Sequence, residues 1–227
     1  MSGHHTIGAF ALALLSSAAA AQSYPAKPVR VVVSFPPGAG VDIVARTAMA
    51  KAKPGQLLYA STGNGGSPHL ATEMFRQQAK IDITHIPYKG TPPAVTDLIA
   101  GQVSMMFANT LSVLPYVNSG RLRALAISSA KRSAAAPAIP TIAENGMPGF
   151  DSVTWFGVLA PTGTPRDIIN KLSGELRRIV QTKTMTDQLL AQGADPIGST
   201  AEEFGVRIKS DIARWTVIIK TAGIKAE

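Results

Sequence analysis

The sequence predicts an α/β fold with largely parallel sheets, and three observations carry that prediction. Short β-branched or apolar runs alternate with helix-period stretches along residues 29–127. Two of the strand-to-helix connections are glycine-rich, Pro36-Pro37-Gly38-Ala39-Gly40 and Thr62-Gly63-Asn64-Gly65-Gly66. The last third turns helical, with a proline start at Thr164-Pro165 and a capping-box pattern at Thr200-Ala201-Glu202-Glu203.

Each element follows from its residues. Val29-Arg30-Val31-Val32-Val33-Ser34-Phe35 is β-branched and reads as a buried strand, after which a helix opens near Asp42. Residues 57–61 form a second strand, followed by a helix with Ser67 at the N-cap and Pro68 next to it. Residues 81–86 alternate like a third strand, and further strands are expected at 103–107, 122–127 and 153–159. Helices are expected around 93–100 and 111–119. Ile168, Ile169, Leu172, Leu176, Ile179 and Val180 share one helical face, as do Phe204, Ile208, Ile212, Trp215 and Ile219. Both stripes are expected to be core.

Composition narrows the function. Of 227 residues, 45% are hydrophobic and 16% charged, which excludes a disordered chain. The absence of cysteine excludes disulfides, thiolate metal sites and a cysteine nucleophile. Net charge is +8, but the cations occur as short pairs and aromatics are only 6%, so no nucleic-acid partner is expected. The basic surface suits small anions.

The N-terminus reads as an export signal. An apolar run at 7–15 leads into Ser16-Ser17-Ala18-Ala19-Ala20-Ala21-Gln22, although residues 2–5 hold no Lys or Arg. The run is shorter than the ~20 residues a bilayer requires. Residues 1–21 are therefore expected to be a signal peptide, and His4 and His5 leave with it.

The glycine loops carry the chemistry. In each, glycine lets the backbone approach a ligand, and free N–H groups at the next helix start favour an anion. Asp42 suits an N-cap, while Ser61, Thr62 and Ser67 add hydroxyls to the second loop. Neither loop matches a P-loop or a full dinucleotide fingerprint, so small carboxylates fit better than nucleotides. His69 and His85 lack a partner at metal-ligand spacing and read as ordinary hydrogen-bonded histidines. In Tyr88-Lys89-Gly90, Lys89 is either a solvated cation or a ligand-binding one.

Together with Tyr24-Pro25-Ala26-Lys27-Pro28, His85-Ile86-Pro87-Tyr88-Lys89-Gly90, Leu122-Arg123-Ala124-Leu125-Ala126, Pro140-Thr141-Ile142-Ala143-Glu144 and Trp155-Phe156-Gly157-Val158-Leu159-Ala160-Pro161, these loops resemble the tripartite tricarboxylate transporter (Bug/TctC-type) solute-binding proteins. The resemblance implies a two-lobed, periplasmic-binding-protein-like fold. It implies a monomeric periplasmic receptor, not an enzyme, that closes on a small carboxylate and delivers it to the transporter's membrane subunits. Ligand contacts would come from Gly38, Ala39, Gly40 and Asp42 on one side. Ser61, Thr62, Gly63, Asn64, Gly65 and Ser67 would face them, with Tyr88 and Lys89 nearby. No catalytic residue, metal or cofactor is implied.

One departure stands out. After Ala45-Arg46-Thr47-Ala48-Met49-Ala50, members of that family continue through several βα elements, whereas this chain passes directly to Lys51-Ala52-Lys53-Pro54-Gly55. The expected division is therefore a shortened, discontinuous first lobe (22–52 and 151–227) and an uninterrupted second lobe (53–150). Two alternatives stay open: a non-binding relic of the receptor, and a small α/β hydrolase using Ser67 or His85.

Overall fold

A computed structural model describes the backbone of residues 31–33, positions 47 and 50, and residues 51–225. The predicted signal segment, the whole first glycine loop and Asp42 lie outside the described residues. Thr47 and residues 50–52 are helical.

Four strands form one parallel sheet: β1 (Val31–Val33), β2 (Leu58–Ser61), β3 (Thr84–Pro87) and β4 (Met105–Phe107). Their order is β1-β4-β2-β3. The connections are helical, as parallel pairing requires. Helix α1 (Ser67–Ala79) links β2 to β3, α2 (Thr91–Ala100) links β3 to β4, and α3 (Thr110–Asn118) follows β4. Strand β1, which the sequence division sets in the first lobe, pairs with β4 at the sheet edge.

Side chains alternate between two packed faces. Tyr59, Met105 and Phe107 point to one side, where Met74 and Phe75 of α1 meet Phe150 and Ile142. Ala60 and Met106 point to the other, against Val95 and Leu98 of α2 and Val113 of α3. With both faces covered, the central strands read as continuous apolar runs. Phe75, Phe107 and Phe150 interlock with centroids 5.8 to 6.3 Å apart. Full burial of such a side chain contributes about 1.5–3 kcal/mol.

Three further helices complete the described chain: α4 (Arg166–Val180), α5 (Lys183–Ala191) and α6 (Ala201–Ala222). The capping box forms as expected: Thr200 N–H donates to Glu203 at 2.8 Å and Glu203 N–H to the Thr200 hydroxyl at 3.2 Å. The start of α4 is displaced by one residue, with Pro165 at the N-cap and the Thr164 hydroxyl turned back to the Pro161 carbonyl.

Two expected strands and one expected core stripe differ in the structure. Residues 122–127, apart from the exposed Arg123, are buried but add no strand to the sheet; Ile127 makes a single parallel bridge with Thr141. Residues 153–159 form no strand, and Phe156, Val158 and Leu159 are exposed. Four residues of the α4 stripe are exposed too, from 40% at Ile179 to 53% at Leu172, while Ile169 and Val180 are half-buried. The cause is common to the last two. An apolar strand or stripe is buried only where a second layer exists to receive it, and α4 has mainly α5 and α6 as neighbours. The α6 stripe is split: Trp215 packs on the main core while Ile212 is exposed.

Candidate functional site

The C-terminal ends of parallel strands are where α/β folds bind ligands, and there the structure joins two of the loops singled out in the sequence. The 62–66 loop leaves β2, and residues 88–90 leave β3. They adjoin, since a Cβ on Gly63 would lie 3.7 Å from the Tyr88 carbonyl oxygen. Gly63 and Gly65 hold φ of 129° and 71°, the region glycine reaches without strain.

Side chains behind the loop fix its shape. Ser61 is fully buried. Its hydroxyl lies 2.6 Å from His85 Nε2, accepts the Gly63 N–H at 3.2 Å and lies 3.1 Å from the Gly63 carbonyl. The Gly65 N–H donates to His69 Nδ1 at 3.0 Å. The His69 and His85 rings stack 3.9 Å apart, and His85 stacks on Tyr59 at 4.8 Å. Tyr59 donates to Glu73 at 2.7 Å, and Arg76 pairs with the same carboxylate at 2.8 Å.

This environment governs ionisation. Burial pushes His85 down to about 4, with the adjacent His69 adding to the shift. Burial also lowers His69, outweighing the attraction of Glu73. Burial raises the Tyr59 phenol strongly, as does its bond to Glu73. Burial and then a 2.7 Å bond to Asp97 raise Tyr88 to about 12.

The predicted binding residues therefore divide. The Ser61 hydroxyl and the N–H groups of Gly63 and Gly65 bond within the loop's own scaffold. Thr62 is half-buried, whereas Asn64 and Ser67 are exposed at the mouth. Ser67 is not the cap: Gly66 occupies the N-cap, and Ser67 and Pro68 open the first turn. The Tyr88 hydroxyl is tied to α2, and Lys89 is exposed beside the loop. Gly38, Ala39, Gly40 and Asp42 lie outside the described residues.

A cavity of about 510 Å³ opens beside Gly65 and Ser67, in the range of small-molecule sites. Its other walls are Ser152, Val153, Thr154 and Trp155 and the Ile208, Ile212 and Trp215 face of α6. Among the described residues, no cluster of three or more His, Cys, Asp or Glu could hold a metal, and no helix is long and apolar enough to cross a membrane.

The Ser61–His85 contact was not legible in the sequence, since 24 residues separate the two. It arises from register: Tyr59 stands opposite His85, and Ser61 lies two residues along the same strand face. Ser61 is fully buried, and its contact with His85 ties the end of β2 to β3.

Known proteins share this chain's sequence pattern and fold. The family described as "Tripartite tricarboxylate transporter family receptor" matches residues 26–224. BugT of Bordetella pertussis is 40% identical over 178 residues, covering 78% of this chain and 55% of BugT. An R. palustris protein solved with adipate superposes with a TM-score of 0.72 at 35% identity, covering 80% of this chain and 61% of that one. MatC from Rhodopseudomonas palustris with bound malate gives 0.66 at 27% identity, covering 78% and 61%. The chain thus spans a little over half the length of BugT. On its matched length and its fold, this chain belongs to the tripartite tricarboxylate transporter receptor family.

Proposed function

We propose that this chain is an exported periplasmic receptor that holds a small carboxylate at the 62–66 loop. It would present that ligand, as a monomer, to the membrane subunits of a tripartite tricarboxylate-type transporter. The observation that carries the reading is the loop itself. A glycine turn at the end of a parallel strand runs into the first turn of α1, with exposed Asn64, Ser67 and Lys89 around the mouth. Helix-start N–H groups and hydroxyls bind carboxylates by charge-assisted hydrogen bonds. Relatives solved with adipate and malate support the same ligand class. In this reading, residues 53–150 are the lobe carrying the loop. Residues 151–227 are what remains of the facing lobe, and Gly38, Ala39, Gly40 and Asp42 belong to the opposite side of the ligand.

The exposed Phe156, Val158 and Leu159 favour a second reading, in which the facing lobe no longer closes and binding is weak or lost. Thermal shift with adipate, malate, succinate, citrate and an uncharged diamide separates the two, because a ligand that binds only the folded state raises its stability. The receptor reading expects the acids to raise the melting temperature and the diamide not to. Equal response to the diamide overturns carboxylate recognition. No response to any acid favours the relic.

A further inference from the structure

We propose that His69 is the positioning residue of the carboxylate loop: its Nδ1 accepts the Gly65 N–H and holds residues 62–66 in their binding shape, which only the neutral imidazole can do. The role of the loop rests on the receptor reading above; the role of His69 in shaping it rests on geometry alone.

Both positive-φ glycines of the loop are tied to one stacked imidazole pair. Gly65 bonds directly to His69 at 3.0 Å, and Gly63 bonds to Ser61, whose hydroxyl contacts His85 at 2.6 Å. The rings lie 3.9 Å apart and 19° from parallel, so neither tilts without displacing the other. His69 is 6% exposed and sits in the first turn of α1, four residues beyond the glycine it holds. The loop has no side-chain cap, since N-cap Gly66 offers none. The His69 acceptor takes that place, one residue earlier in the chain.

Proton accounting makes the role testable. As acceptor, Nδ1 carries a lone pair and the ring's single proton is on Nε2. A second proton would add to Nδ1 and set two donors, Nδ1–H and Gly65 N–H, against each other. The charged and titratable groups around the ring are Glu73 and Arg76 on its own helix, Tyr59 on β2 and His85 on β3. Glu73 attracts a proton to His69, whereas Arg76 opposes it. Burial favours the neutral ring and outweighs the attraction of Glu73.

The test uses the whole isotope-labelled chain. His69→Phe keeps a ring in the stack and removes the acceptor; His69→Asn places a carbonyl oxygen near Nδ1 and does not titrate. Amide exchange at neutral pH should show Gly65 protection falling about fivefold or more in H69F and returning in H69N, the scale of one hydrogen bond. Succinate affinity should follow the same pattern. On acidification, the wild-type Gly65 amide signal should shift with the midpoint of the His69 ring itself, and in H69N it should not. The proposal is overturned if H69F leaves Gly65 protected, if H69N loses as much as H69F, or if Gly65 ignores the His69 titration. Should H69F not fold, the wild-type titration decides by itself. If succinate fails to bind while Gly65 follows His69, the carboxylate reading falls and the positioning role stands.

Discussion

Trp155 and Asp211 join two segments 56 residues apart: the indole Nε1–H donates to the carboxylate at 2.7 Å. Asp211 is buried and also accepts from Arg207 at 3.0 Å and Arg214 at 2.8 Å. This hub fastens residues 151–155 to α6 and builds one wall of the cavity beside the loop. Asp211→Ala should destabilise the fold by about 2–3 kcal/mol, because the charge-assisted bonds are lost and the two guanidinium groups keep only their contacts to Asp151. Urea unfolding measures the loss, and a red-shifted tryptophan emission in the folded variant would report Trp155 released to water.

Ser67→Ala should weaken carboxylate binding about fivefold or more without lowering the melting temperature. Ser67 lines the cavity, but Gly66, not Ser67, occupies the N-cap. One donor to a charged ligand accounts for that scale. Calorimetry on S67A and S67T checks it: the threonine variant should retain most of the affinity.

Stability should fall on mild acidification. The unfolded chain protonates histidine below about pH 6.5, whereas folded His85 resists until about 4 and folded His69 is lowered in the same direction. Between those limits the unfolded state binds more protons, so the stabilisation is complete above about 6.5 and is lost as pH falls toward 4. Melting temperatures across that window should show the slope, and His85→Gln should flatten it.

Tyr59→Phe should cost about 1 kcal/mol in chemical denaturation, since it removes a buried 2.7 Å bond to Glu73 but leaves Arg76 paired with that carboxylate. Retention of the loop in this variant is expected, because the ring that stacks on His85 remains.

Phe156→Ser should change stability by less than about 0.5 kcal/mol and reduce binding of a hydrophobic dye. The side chain is 83% exposed, so its removal opens no cavity. A loss as large as that of a core phenylalanine would show that residues 153–159 are covered in solution. Gly157→Ala is the contrasting variant: a Cβ there would overlap the Phe204 ring, so it should be the more costly change.

The sequence by itself determined the local grammar of this protein. Apolar runs at 57–61 and 103–107, the glycine turn at 62–66 and the Thr200–Glu203 capping box depend on neighbours close in the chain, and each appears where expected. The family was legible for the same reason, since its motifs are contiguous. The tertiary structure alone decided what those elements meet. The register of β2 on β3 brought the buried Ser61 hydroxyl into contact with His85. The first turn of α1 brought His69 back within reach of Gly65, four residues earlier, and gave a histidine with no motif around it hold of the loop. Residues 153–159 and the α4 stripe carry the pattern of buried elements, yet Phe156, Val158 and Leu159 and most of the stripe are exposed. Periodicity states which face would be buried; burial itself requires an opposing layer, and no local pattern records whether that layer is present.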